Sequence, residues 1–183
     1  MEILFMKKKV FKSLFAAASL LCSIPVSAYD FEVDGVYYDI VSMNGFTCKV
    51  VKESSKSLYK GNIVIPSTIS FNNKTLTVIE IADKVFKECS DLTGITIPST
   101  ISLVGDEMFN GCTKLEYVKI EDGETVLEIG NFNKYNKGLF AECPITTLYI
   151  GRNLSYATSD YYGLSPFRNI KTIKELTIYK GWC

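Results

Sequence analysis

The chain of 183 residues contains no histidine. That absence removes the Ser-His-Asp and Cys-His arrangements of nucleophilic catalysis, histidine-ligated zinc, and the side chain that most often serves as a general base near neutral pH. Neither sign of charge is in excess. Twenty lysines and arginines balance twenty aspartates and glutamates, with an isoelectric point near 6.3, so the basic stripe that a phosphate backbone requires is missing and no nucleic-acid partner is expected. There is no glycine-rich phosphate loop either. Carboxylate pairs are the remaining acid–base route. Asp106-Glu107 and Glu121-Asp122 are chain neighbours, so the side chains of each pair diverge where a glycosidase needs two carboxyls facing each other across a cleft. Asp30, Glu32, Asp34 and Asp39 alternate with Phe31, Val33, Tyr37 and Tyr38 as solvent-side residues of strands do, which argues against a calcium loop. The reading is a chain with no catalytic residues, no metal site and no cofactor.

Long apolar runs are scarce as well. The main one, residues 13–24, falls short of the roughly 20 residues that a membrane-spanning helix needs. It follows Lys7, Lys8 and Lys9 and ends in Pro25-Val26-Ser27-Ala28. A basic start, an apolar core and small residues before a cut describe a secretory signal over residues 1–28, cleaved after Ala28. The mature chain would begin at Tyr29, be secreted or held at the cell surface, and insert no further into a membrane. Cys22 raises the alternative of lipid attachment, which the preceding Leu21 fits poorly.

What the chain does have is a short apolar pattern written several times. Phe86, Cys89, Leu92, Ile95 and Ile97 recur as Phe109, Cys112, Leu115, Val118 and Ile120, each displaced by 23 residues. Phe140, Cys143, Ile145, Leu148 and Ile150 repeat the order with one residue missing after the cysteine, and Phe167, Ile170, Ile173, Leu176 and Ile178 restore the full spacing. A period of this length marks a solenoid, in which each coil shows an apolar edge that only a stacked neighbour can bury. Spacing of three from Phe to Cys to Leu predicts a short helical or 3₁₀ turn, and Ile-x-Ile predicts a strand that pairs in parallel with its counterparts.

The phrases IPSTISLVGDEMFNGCTKLEYVKI and FKECSDLTGITIPSTI, with CPITTLYIGRNLSY followed by SPF, resemble the BspA-type leucine-rich repeats of bacterial surface proteins, over nearly the whole mature chain. The resemblance implies a leucine-rich repeat solenoid, mainly β with short helical or 3₁₀ turns and a parallel sheet. It also implies an exported protein, in some relatives an adhesin for host matrix proteins or other cells.

Residues 29–58 depart from the repeat. Asp34-Gly35 and Asn44-Gly45 between apolar alternations predict a β-hairpin cap, which a solenoid needs to cover its first coil. Residues 53–57 read as a polar linker, and residues 59–183 as a solenoid of about four to five coils. Asn72-Asn73 marks a hairpin inserted in the first coil, and further insertions lie around residues 131–136 and 155–163, the latter carrying Tyr156, Tyr161 and Tyr162. After Ile178 no polar capping coil follows before Gly181-Trp182-Cys183. Either Trp182 folds back over the last coil or the open end pairs with something else. Of the five cysteines beyond the leader, Cys89, Cys112 and Cys143 share one coil position where the fourth coil has Ile170, so buried free thiols are expected there. Cys48 and Cys183 are either unpaired, joined to each other, or joined to another chain.

The strands also predict a surface. With Leu92, Ile95 and Ile97 inward, the outward sets are Gly94, Thr96 and Pro98; Tyr117, Lys119 and Glu121; Thr147, Tyr149 and Gly151; and Glu175, Thr177 and Tyr179. Tyr117, Lys119, Tyr149, Glu175 and Tyr179 are therefore the candidate ligand-binding residues, tyrosine offering large contact area at small entropic cost. The expected partner is an extracellular protein or glycan. A structural subunit that self-associates through its carboxyl-terminal end is the alternative.

Overall fold

In the computed structural model, residues 29–52, 59–130, 138–156, 165–167 and 170–179 are described. The leader, the linker, the insertion at 131–136, residues 157–163 and Gly181-Trp182-Cys183 lie outside them. Thirteen strands are present among the described residues. They are β1 (Phe31–Val33), β2 (Val36–Ser42), β3 (Thr47–Val51), β4 (Gly61–Val64), β5 (Thr68–Phe71), β6 (Lys74–Ile81), β7 (Leu92–Ile97), β8 (Leu103–Val104), β9 (Tyr117–Ile120), β10 (Leu127–Ile129), β11 (Thr147–Ile150), β12 (Leu154–Tyr156) and β13 (Glu175–Ile178).

These strands build two sheets, one more than the repeat predicted. The first holds the Ile-x-Ile strands in the order β13-β11-β9-β7-β4, all parallel. In it Ile95, Val118, Leu148 and Leu176 are register partners, as are Ile97, Ile120, Ile150 and Ile178. The second runs β1-β2-β3-β6-β8-β10-β12, with β5 on β6. Its β6, β8, β10 and β12 stack in parallel where each coil returns, and Ile81, Val104 and Ile129 face the core from that side.

The expected helical turns are single turns. Backbone bonds from Cys89 N to Phe86 O, Cys112 N to Phe109 O and Cys143 N to Phe140 O close each Phe-x-x-Cys segment at 3.1–3.2 Å. The residue before each cysteine, Glu88, Gly111 or Glu142, is left-handed, with φ of 65°, 82° and 70°. One left-handed residue ends the right-handed turn before a helix can propagate, and no helix is present among the described residues. At Gly111 the conformation also brings the backbone close to the preceding coil, so that a Cβ would lie 3.2 Å from Glu88 Cα.

The amino-terminal meander β1-β2-β3 is antiparallel, and β3 joins β6 in parallel, so it extends the second sheet. Asp34 and Gly35 have the positive φ of a two-residue hairpin turn, 50° and 78°. The second turn is wider than its Asn44-Gly45 suggested. It spans residues 43–46, the left-handed residue is Phe46 at 49°, and Ser42 Oγ accepts from Gly45 N at 2.9 Å. The hairpin inserted in the first coil forms at Asn72-Asn73, both left-handed, between β5 and β6.

The core is a column of rings. Phe86 and Phe109 stack at 5.8 Å with planes 1° apart, Phe109 and Phe140 at 4.8 Å, and Phe140 and Phe167 at 4.9 Å. Tyr59 continues the column, 4.9 Å from Phe86, and its hydroxyl donates to Val51 O at 3.1 Å, which ties the meander to the coils. Beside the rings run the cysteines. Cys48, Cys89, Cys112 and Cys143 are buried free thiols. Cys112 Sγ donates to Phe86 O at 3.1 Å and Cys143 Sγ to Phe109 O at 3.6 Å, each reaching one coil back. Burial pushes Cys48 up to about 11 and Cys143 up to about 12, and raises Cys89 and Cys112 as well, so all four stay protonated at neutral pH.

Phe109 lies between two stacked rings and is fully buried. Phe109→Ala should destabilise the protein by about 3–5 kcal/mol through the cavity it leaves, and Phe109→Leu by less. Urea unfolding of both variants measures the difference.

Candidate recognition surface

The outward side of the first sheet carries the residues singled out by the repeat. Register sets them in rows. Asn62, Gly94, Tyr117, Thr147 and Glu175 form one row across β4, β7, β9, β11 and β13, and Val64, Thr96, Lys119, Tyr149 and Thr177 the next. Beyond the strand ends, backbone bonds from Glu121 N to Ile97 O, Gly151 N to Ile120 O and Tyr179 N to Ile150 O continue the ladder and add a third row. All five candidate residues thus lie outward on three neighbouring strands or their extensions. The three tyrosines occupy different rows, so they cross the face on a diagonal from Tyr117 through Tyr149 to Tyr179.

The face is fuller at one end. On β7 the outward Gly94 and Thr96 are buried. Asn62 and Tyr117 close over Gly94, where a Cβ would come 3.2 Å from Asn62 Cγ and 3.3 Å from Tyr117 Cβ. From β9 onward the face opens, Tyr117 being 36% and Tyr179 54% exposed.

Polar contacts fix the centre. Lys119 Nζ stands 5.7 Å above the Tyr149 ring and 3.9 Å from Glu121 Oε1. The Tyr149 hydroxyl donates to Asp122 Oδ1 at 2.6 Å, and this bond to a carboxylate, with some burial, raises its ionisation above the ordinary tyrosine range. Thr147 Oγ1 donates to Glu175 Oε2 at 3.4 Å. Glu121 and Asp122, read in the sequence as a divergent pair, have different partners, one meeting Lys119 and the other Tyr149. Asp106 and Glu107 also lie in different surroundings. Lys87 Nζ sits 2.7 Å from Glu107 and holds its carboxyl below the usual range, whereas Asp106 Oδ1 lies beside Gly130, 2.6 Å from where a Cβ of that residue would be. In the meander, Asp30 Oδ2 accepts from Ile40 N at 2.9 Å. Among the described residues no group of three acidic or cysteine side chains is arranged to hold a metal.

The supporting roles of two residues escaped the sequence reading, which placed Gly151 only as an outward position. Gly151 is buried beneath the Tyr149–Asp122 pair, and a Cβ there would lie 2.6 Å from Asp122 Oδ1 and from Glu121 C. Arg152, 4% exposed, donates from Nη1 to Ser99 O at 2.8 Å and to Thr125 Oγ1 at 3.4 Å, and from Nη2 to Pro98 O at 3.0 Å. It clamps the corners that follow β7, β9 and β11. The only sequence signal for this role is an arginine directly after a strand-ending Ile-Gly, too common to single out.

The second sheet bears a shallow groove of about 450 Å³ lined by Asp83, Leu103, Asp106, Glu128, Ser155 and Tyr156. Tyr161 and Tyr162, from the same insertion in sequence as Tyr156, lie outside the described residues.

Comparison with known proteins agrees with this architecture. The family described as BspA type leucine rich repeat region matches residues 79–183 in six copies. A leucine-rich repeat protein from Bacteroides capillosus ATCC 29799 superposes with a TM-score of 0.56 at 19% identity, over 81% of this chain and 97% of that one. A second, from Bacteroides ovatus ATCC 8483, gives 0.54 at 19% identity, over 81% of this chain but 41% of the other. At these identities the likeness is one of fold. None of the curated proteins matches the chain in sequence.

Gly151→Ala should crowd Asp122 and break its bond to Tyr149, costing about 1–3 kcal/mol. Because that bond raises the Tyr149 phenol, the variant should titrate Tyr149 at lower pH, which NMR of ring-labelled tyrosine reads directly. An unchanged titration would mean that Asp122 does not depend on the glycine.

Proposed function

Because the chain belongs to the BspA-type leucine-rich repeat family, we propose that it is a secreted or surface-held binding module that recognises an extracellular protein or glycan, as an adhesin does. The recognising surface is the outward side of the first sheet, together with the inserted loops. One observation carries this reading: Tyr117, Lys119, Tyr149, Glu175 and Tyr179 converge on adjacent strands, outward, while the inward Ile95, Val118 and Leu148 are 0–2% exposed and hold the coils. Function and fold therefore rest on different side chains of the same strands. Screening matrix proteins and glycans on an array identifies the ligand class. Tyr117→Ala combined with Tyr149→Ala should weaken binding about 30-fold, roughly 2 kcal/mol, with little loss of thermal stability. Wild-type binding by that variant, together with loss of binding on changing Tyr156, Tyr161 and Tyr162, would move recognition to the insertion.

A second reading, assembly through the carboxyl-terminal end, has its own support. Leu176 and Ile178 hold the layer positions that the preceding coil fills with buried Leu148 and half-buried Ile150, yet are 54% and 58% exposed, and among the described residues β13 pairs only with β11. An apolar strand with a free edge favours pairing with another chain. Light scattering should then show a concentration-dependent oligomer that Ile178→Lys disperses. A monomer at every concentration would remove this reading.

A further inference from the structure

Resting on the sheet-face reading, we infer that the ligand is an extended basic protein segment that lays two arginines or lysines, four residues apart, over Tyr117 and Tyr179. The centre of the face already holds such a contact internally. Lys119 places its ammonium over the Tyr149 ring, beside the Glu121 carboxylate, and the ring is held by its hydroxyl on Asp122. A cation over an aromatic face with a carboxylate at its edge is a favourable and selective arrangement. Tyr117 and Tyr179 offer the same kind of ring on either side, are more exposed, and have no cation over them among the described residues. Carboxylates share their rows, Glu175 that of Tyr117 and Glu121 that of Tyr179, each two strands away. Glu116, Glu121, Asp122 and Glu175 lie on or beside the outward strands against Lys119 and Lys174, and Lys119 is already engaged. Among the described residues the open part of the face thus carries more carboxylates than cations beside its tyrosines, and it complements a basic chain better than an acidic one.

Spacing sets the pattern. Strands stand ~4.8 Å apart and alternate residues of one strand ~6.7 Å apart, so each step of the tyrosine diagonal is ~8 Å and its ends are ~16 Å apart. An extended segment presents residues i, i+2 and i+4 on one side over ~13 Å, and flexible basic side chains reach the remaining distance. Residue i+2 would meet Lys119, whose charge repels a third cation, so that position should be small and neutral. A neutral sugar chain would use the tyrosine rings but would gain nothing from the net acidity of the face, which is why the basic segment is favoured.

The test uses two peptides of identical composition, Thr-Arg-Thr-Ser-Thr-Arg-Thr and Thr-Arg-Thr-Ser-Arg-Thr-Thr, titrated into the isotopically labelled protein and followed by amide shifts in NMR. The first carries arginines four apart, on one side when extended; the second carries them three apart, on opposite sides. The first should bind at least about 5-fold more tightly, shift residues of β9, β11 and β13, and lose that advantage in Tyr117→Ala with Tyr179→Ala. Glu121→Gln with Glu175→Gln, which leaves the rings and the packing in place, should weaken it as well. Equal binding of the two peptides, or shifts away from this face, overturns the inference as mere charge attraction. If a chitin oligosaccharide shifts these residues and neither peptide does, the basic-segment inference falls while the sheet-face reading stands. If neither peptides, glycans nor matrix proteins shift the face, both fall.

Discussion

The stack of aromatic rings from Tyr59 to Phe167 is the constraint on which the rest of the molecule depends. Parallel strands in one sheet lie about 4.8 Å apart, and the rings of successive coils lie 4.8–5.8 Å apart. The two repeats are commensurate, so one phenylalanine per coil fills the corner without stretching the ladder. A thiol three residues later then reaches the carbonyl of the preceding phenylalanine, as Cys112 does with Phe86. Ring, thiol and strand thus register each coil against the one before.

That registration produces a surface. Because neighbouring strands are locked residue to residue, outward side chains that are more than 20 residues apart in sequence become neighbours, and Lys119 meets Tyr149 directly. The corners must be equally fixed for the face to keep its shape. Arg152 supplies part of this by bridging carbonyls of Pro98 and Ser99 from more than 50 residues away, although its Nε has no partner among the described residues. A buried guanidinium on backbone carbonyls is costly to form and costly to break. Gly151 supplies another part, its missing side chain leaving room for Asp122 under the tyrosine.

The inward residues were legible because the repeat writes them at constant spacing, and burial of Leu92, Leu115, Val118 and Leu148 follows from it. The same spacing identified Tyr117, Lys119, Tyr149, Glu175 and Tyr179 as outward. It did not reveal the second sheet. The strands there are two to three residues long where the coils are regular, β8 being only Leu103–Val104, and so short a run has no alternation to read. Nor did it distinguish single turns from 3₁₀ turns, since both need the same spacing and differ by one left-handed residue, which is glutamate in two coils and glycine in only one.

By itself, then, the sequence determined the solenoid, the face each repeat residue occupies and the left-handed turns at Asp34-Gly35 and Asn72-Asn73, because periodicity and local backbone preference are properties of nearby residues. Tertiary structure alone decided that the tyrosines form a diagonal, that Lys119 is spent on Tyr149 and Glu121, that Asp122 belongs to the surface and that Arg152 is a clamp. Each of these depends on the register between coils, and register is fixed only when rings and strands from distant parts of the chain stack together.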